Sequence, residues 1–477
     1  MSEKSRLSPE QRLDKFEKKM RDAEISEDVI CLFESYYRLL EHGHKDSQYL
    51  WEKDIQPVQK GEICDYRQLT SDDAELGREL LDQSVVFKLN GGLGTTMGMP
   101  YAKSLLKVKS GYTFLDIVLL QTGEGQFSFD PGSLVLMNSF NTHEDTINYL
   151  YKKGFAEKER PFMFLQHKYP KILAESLEPA LAQDNQDLEW NPPGHGDLYA
   201  ALFVSGILDK LLDYGKRYAF ISNADNLGAD IDPHILGYFA QNRLMFLMEV
   251  AQRTPSDKKG GHLAEHKNDH QLVLREIAQC PNSELENFQD ISRYQFFNTN
   301  NIWLDLKQLR SHIVEKGLPK LPLIVNTKSL DPRDESTSKV YQLETALGSA
   351  ISVFKNTGAI EVNRCRFIPV KKTNDLLAIR SDLYMLTDDF RLIPNPVRPS
   401  PEISIDLDSN FYKKIDQFDQ RFPYGSPSLV ECQSLQVQGD VVFEDHVICK
   451  KGVRIFNKTG TQKKITSGRV LTGEVVF

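Results

Sequence analysis

The run Tyr218–Ser222, Tyr-Ala-Phe-Ile-Ser, is apolar up to its last residue and suits a central strand covered on both faces. It is one of a series. From Ser84 onward, short apolar runs alternate with helical stretches: Val85–Leu89, Leu134–Met137, Phe162–Gln166, Tyr218–Ser222, Leu244–Val250 and Val273–Ile277 read as strands, with Leu198–Tyr214 as one of the helices between them. Strand and helix in alternation predict an α/β sheet with right-handed crossovers. Further strands at Phe297–Leu306, Leu323–Asn326, Ile360–Val370 and Leu376–Ile379 extend this region to about residue 390.

The flanks differ. Residues 1 to about 75 read as helical, with Ser8 capping a helix that has Pro9 at its first position, and Val29, Leu32, Phe33, Tyr36, Tyr37 and Leu40 recurring at helical spacing. Residues 391–401 hold Pro394, Pro396, Pro399 and Pro401 and read as a linker. One short helix near Phe411–Phe422 follows. Short β-rich pieces then come at near-regular intervals, which predicts a few coils of a left-handed β-helix or a small sheet. The chain thus divides into a helical segment (1–75), a main domain (76–390) and a tail (391–477). With 477 residues, it is long enough for two or three domains.

The formal charge of −9 argues against a nucleic-acid partner, which needs a basic face. It leaves room for a nucleotide pocket, where a few local cations suffice. None of the six cysteines forms a CxxC pair, which fits a reducing cytoplasm better than a disulfide framework or a zinc site. The amino terminus lacks a signal-type apolar core, and no stretch reaches membrane-span length.

The strongest motif follows the first strand directly: Phe87-Lys-Leu-Asn-Gly-Gly-Leu-Gly-Thr-Thr-Met-Gly98. Its glycines allow close backbone approach and positive φ, and successive N–H groups in such a turn cradle an anion. No Gly-Lys-Ser/Thr closes it, so it is not a P-loop, and its spacing is not that of the dinucleotide fingerprint. Lys103 follows a few residues on, a cation suited to a polyphosphate. Asp225 sits after the strand Tyr218–Ser222, at the carboxyl end where α/β sheets bind ligands.

The run LNGGLGT-x-MG followed by Lys103-Ser104 resembles the UTP–glucose-1-phosphate uridylyltransferase family. Seven further motifs resemble it in order: FLQHKYPKI at 164–172, WNPPGHGD at 190–197, ISNADNLGA at 221–229, LREIAQ at 274–279, FNTNNIW at 297–303, QLETALGSA at 342–350 and RFIPVKKTNDLL at 366–377. The resemblance implies a Rossmann-like nucleotide-diphospho-sugar transferase domain with a mixed central sheet. It implies UTP and glucose 1-phosphate as substrates, UDP-glucose and pyrophosphate as products, and Mg²⁺ as cofactor.

Carried over residue by residue, it places Leu89, Asn90, Gly91, Gly92, Gly94 and Thr95 on the nucleotide. It gives Gln166 and Gly194 to the uracil, His195 to the sugar phosphate, Asn223 to the uridine or sugar, and Glu276, Asn298 and Asn300 to the sugar. Lys103 and Lys371 take the phosphates and Asp225 the metal; Lys371, ending a strand Arg366–Val370, is preferred over Lys372. Two departures stand out: Tyr101-Ala102 replaces the usual Gly-Pro before Lys103, and Arg275 replaces an apolar residue before Glu276. The alternatives are a uridylyltransferase acting on N-acetylhexosamine 1-phosphate or on several sugar 1-phosphates, and a non-catalytic nucleotide-sugar binder or a scaffold that uses its β-rich tail for assembly.

Overall fold

The structure, a computed structural model, describes residues 7–41, 49–123, 132–182, 185–332, 334–398 and 403–477. Pro399, Pro401 and the first six residues lie outside that set.

The described residues build an 11-stranded sheet. Its main path runs Cys64–Asp65, Thr357–Glu361, Phe246–Gln252, Phe296–Asp305, Tyr218–Asn223, Ser84–Asn90, Leu134–Asn138 and Phe162–Leu165. Neighbours on this path pair in parallel, except that Phe296–Asp305 runs against both of its own. The sheet is therefore mixed. That one reversal matters for function: the amino end of Phe296–Asp305 lies on the edge where the parallel strands end.

Helices cover both faces. The amino-terminal helices Pro9–Asp22 and Glu27–Glu41 bury Phe16, Phe33 and Tyr37 against Tyr169, Ile172 and Leu343. Each such side chain contributes roughly 1.5–3 kcal/mol. Ser8 caps the first helix through a reciprocal bond with Gln11. The helical reading is interrupted by two short strands, Ile55–Pro57, which pairs with His262–His266, and Cys64–Asp65, which pairs with Thr357–Glu361, before it resumes in the helix Ser71–Glu79.

Other expectations need correction. Leu198–Tyr214 is two helices, Leu198–Val204 and Ile207–Asp213, broken at Gly206 with φ +73°. The strand expected at Val273–Ile277 is Leu272–Arg275 and stops before Glu276. The strand expected over Ile360–Val370 ends at Glu361. Beyond it, the buried Glu249 carboxylate draws the Arg366 guanidinium inward at 2.7 and 2.8 Å, and the chain folds into a 3₁₀ turn instead. Leu376–Ile379 lies within a helix, Thr373–Arg380, whose first turn is closed by Asp375 accepting from the backbone of Lys371 and Lys372. A four-residue apolar run is ambiguous between strand and helix, and the cap decides it. The helix near Phe411–Phe422 is likewise two pieces, Ser409–Tyr412 and Ile415–Arg421.

In the tail, Ser404–Leu407, Cys432–Gln438, Ile448–Phe456 and Val470–Val476 form one parallel sheet, while Val441–Phe443 and Lys463–Ile465 form a second parallel pair. Their apolar side chains share one continuous core with Met97, Met99, Val370 and Leu376 of the main part. The tail is thus packed directly beneath the glycine-rich turn.

Candidate active site

The strand Ser84–Asn90 delivers the chain to the carboxyl edge of the sheet, where a cleft of about 350 Å³ opens. Leu89, Asn90, Gly91 and Gly92 line its floor. The Asn90 amide points away, donating to Asn138 Oδ1 at 2.8 Å and Thr146 Oγ1 at 3.0 Å, so this residue offers the cleft its backbone alone. The turn then doubles back. Leu93 bridges Ala102, and the Lys103 N–H donates to the Gly92 carbonyl, which returns Lys103 to the cleft. Ala102 donates its own N–H to Asp145. A proline there lacks that donor, so the departure at 102 adds an anchor and leaves the lysine in place. Gly94 and Thr95 are outside the cleft lining: a Cβ on Gly94 would stand 2.5 Å from Met99 Sδ, and Thr95 is exposed.

Gln166, Gly194 and His195 form the facing wall. Gln166 Nε2 donates to the Gly194 carbonyl at 2.5 Å. Gly194 has φ +79°, and a Cβ there would meet the Thr345 carbonyl oxygen at 2.5 Å, so no other residue fits. The His195 imidazole is half-buried in this wall. Its Nδ1 accepts the Leu347 N–H at 2.7 Å, which fixes the proton on Nε2. Burial pushes the His195 pKa down to about 4, so the ring is a neutral donor.

Between these walls, Lys103 Nζ pairs with the Asp225 carboxylate. Beside them, Asn300 Nδ2 donates to Asn223 Oδ1 at 3.0 Å. A register shift between Glu249 and Val250 pushes Thr299 and Asn300 out of the ladder, and Asn300 takes φ +60°, a conformation asparagine tolerates. Asn300 Oδ1 is buried without a protein partner, and so is Ser104 Oγ beside Lys103. Asn298 Oδ1 is engaged by the Asn300 N–H.

Asn298, Asn300, Glu276 and Lys371 are not among the residues that line this cleft. Glu276 is not within a strand; it heads a 3₁₀ turn, its carboxylate against Gly261. Enclosure raises its pKa to about 7, opposed by the charge of Lys371. Lys371 does not end a strand either; it precedes the helix Thr373–Arg380. Lys372 lines a separate cavity with Thr96 and Lys413. Arg275, the second departure, is fully buried between Glu52 at 2.9 Å and Glu284 at 2.6 Å, which anchors the strand end before Glu276.

Sequence reasoning missed the His167–Asp197 pair, in which the buried Asp197 accepts from both the His167 backbone and its ring. It also missed the Asn138 and Thr146 partners of Asn90. All are ordinary polar residues whose meaning appears only once distant segments meet.

A glycine-rich turn, a lysine–carboxylate pair and an amide-lined wall at the carboxyl edge of an α/β sheet define an enzyme that handles a phosphorylated ligand. The comparisons narrow this. The family profile described as UTP–glucose-1-phosphate uridylyltransferase matches residues 30–450. The UTP–glucose-1-phosphate uridylyltransferase of Musa acuminata is 42% identical over 408 residues, covering 85% of each chain. A crystal structure of a mutant UDP-glucose pyrophosphorylase from Leishmania major, in complex with UDP-glucose, is 40% identical with TM-score 0.88, covering 98% of this chain and 100% of that one. A Trypanosoma brucei structure titled UDP-glucose phosphorylase is 41% identical with TM-score 0.86, again covering 98% of this chain and 100% of that one. The chain belongs to the UTP–glucose-1-phosphate uridylyltransferase family.

Proposed function

We propose that this enzyme joins UTP and glucose 1-phosphate into UDP-glucose, reversibly, at the cleft between Gly91 and His195. The observation that carries the reading is the Lys103–Asp225 pair, set between the glycine turn and the Gln166–Gly194 wall. A phosphate oxygen of glucose 1-phosphate attacks the α-phosphorus of UTP in line. One P–O bond forms, the α–β bridging bond breaks, and pyrophosphate leaves with the electron pair. The attacking phosphate is ionised near neutral pH, so neither a protein nucleophile nor a general base is required. Catalysis reduces to positioning two anions and offsetting their repulsion.

Each residue has a part. The turn Leu89–Gly92 takes the nucleotide, with Gly94 and Thr95 shaping its far side. Gln166 has one N–H and its Oε1 left for the uracil edge, with Gly194 close to the ring. His195 supplies a neutral Nε2–H to the sugar phosphate. Asn223, Asn298, Asn300 and Glu276 face the sugar, Asn300 through its unpartnered Oδ1. Lys103 and Lys371 counter phosphate charge.

Asp225 is the residue to hold Mg²⁺. Among the described residues no three His, Cys, Asp or Glu side chains converge. A single carboxylate beside a phosphate cradle fits magnesium, which prefers one or two carboxylates plus substrate oxygens. When bound, the ion supplies charge neutralisation on phosphate oxygens.

The reading extends to the rest of the molecule. The parallel tail strands are coils of a left-handed β-helix and a surface for self-assembly, which light scattering of the full chain tests. Six free thiols support a cytoplasmic location. Among the described residues no helix is long and apolar enough to cross a membrane. Release of pyrophosphate from UTP with a panel of sugar 1-phosphates tests the activity. Glucose 1-phosphate should be preferred; preference for an N-acetylhexosamine 1-phosphate would move the enzyme to the neighbouring class, and no release at all would leave a binding protein.

A further inference from the structure

Lys88 is a charged side chain almost wholly inside the protein, 1% exposed, in the middle of the strand that leads to the glycine turn. A lone ammonium there is costly, and an apolar residue of similar length would fill the space without that penalty. Its contacts explain it. Lys88 and Ser222 are opposite residues on adjacent parallel strands, and Lys88 Nζ donates to Ser222 Oγ at 2.8 Å. The same ammonium donates to the Ala229 carbonyl at 3.0 Å. Ser222 and Ala229 flank the turn that carries Asn223 and Asp225. One cation therefore grips the turn at both ends. Asn226 pins its middle, through its amide to Asn301 and the Arg366 carbonyl and through Oδ1 to the Ile368 N–H. The charges of Asp230 and Asp225 favour the ammonium, and that of Arg366 opposes it.

We propose that Lys88 is a positioning residue: it clamps the turn 223–229 so that Asp225 is presented to Lys103 and to the phosphate side of the cleft. The clamp acts through Asp225, so its catalytic consequence rests on the reading of Asp225 given above. Substrate does not touch Lys88.

The test is amide hydrogen exchange on the ligand-free protein, comparing wild type with Lys88→Met and Ser222→Ala. The amides of Ala224, Asn226 and Ala229 are bonded to Leu89, Asn223 and Asn226 carbonyls respectively and report on the turn. In Lys88→Met they should exchange at least tenfold faster, with Ala219 and Phe220 in the adjoining strand unchanged. Turnover should fall more than tenfold while KM for glucose 1-phosphate moves less than threefold. Ser222→Ala removes one grip without removing the charge and should give the same pattern at about threefold; it carries the test if Lys88→Met does not fold. Exchange that rises uniformly along Ser84–Asn90 and Tyr218–Asn223, or that leaves the turn unchanged in either folded variant, overturns the proposal. Asp225→Asn separates the two readings: normal turnover there defeats the assignment of Asp225, while the exchange result still decides the clamp.

Discussion

Lys103 and Asp225, 122 positions apart in the chain, close an ion pair on the carboxyl edge of the sheet. Each is mostly shielded from solvent, with 17% of its side chain exposed. Each is the other's counter-ion.

Removing the lysine should therefore hurt rate more than fold. Lys103→Ala and Lys371→Ala should each lower turnover by about 10²–10³, the usual cost of one electrostatic group. Thermal unfolding should stay close to wild type, since neither side chain belongs to an apolar core. Steady-state kinetics and a melting curve check both, and near-normal turnover in the pair of variants contradicts the assignment.

Asp225→Ala should abolish metal-dependent turnover and leave Lys103 without its partner. A Mg²⁺ titration of activity is the check. A variant that still responds to magnesium as wild type does removes Asp225 from the site.

His195 should stay neutral from pH 5 to 9, because burial holds its pKa at about 4 and the Leu347 N–H occupies Nδ1. The NMR signals of the ring should be flat over that range, with the proton on Nε2. A midpoint near 6.5 contradicts the enclosure.

Glu276 makes the opposite prediction. Its folded pKa of about 7 lies above the ordinary value of 4.5, so between those values the folded state holds a proton that the unfolded chain has lost. Its contribution to stability is complete below pH 4.5, falls as pH rises to about 7, and is level above that. Glu276→Gln should remove this slope in pH-dependent denaturation, and KM for glucose 1-phosphate should lose any break near pH 7. An unchanged slope in Glu276→Gln places the titration elsewhere.

The sequence disclosed the parts of this site that are written locally. Apolar runs such as Tyr218–Ser222 marked the parallel strands, and a turn with glycines at 91, 92, 94 and 98 marked their ligand edge. What stayed hidden depends on partners far along the chain. The bulge that aims Asn300 at Asn223 arises where an antiparallel strand meets Val250. The family motif places Asn90 on the nucleotide, but that Asn138 and Thr146 hold its amide shows only in the fold. Lys371 was placed at a strand end because Arg366–Val370 is apolar enough for one, but the buried Glu249 holds Arg366 in a turn. The glycines flanking His195 owe their place to Thr345, far along the chain: a Cβ at 194 or 196 would collide with it.

The most direct test is a crystal structure with UDP-glucose bound. The uracil should lie within hydrogen-bond reach of Gln166 and Gly194, the diphosphate against Gly91 and Gly92 beside Lys103 and Asp225, and the glucose toward Asn300 and Glu276. A nucleotide sugar seated elsewhere, for example in the cavity between Thr96, Lys372 and Lys413, would contradict the account.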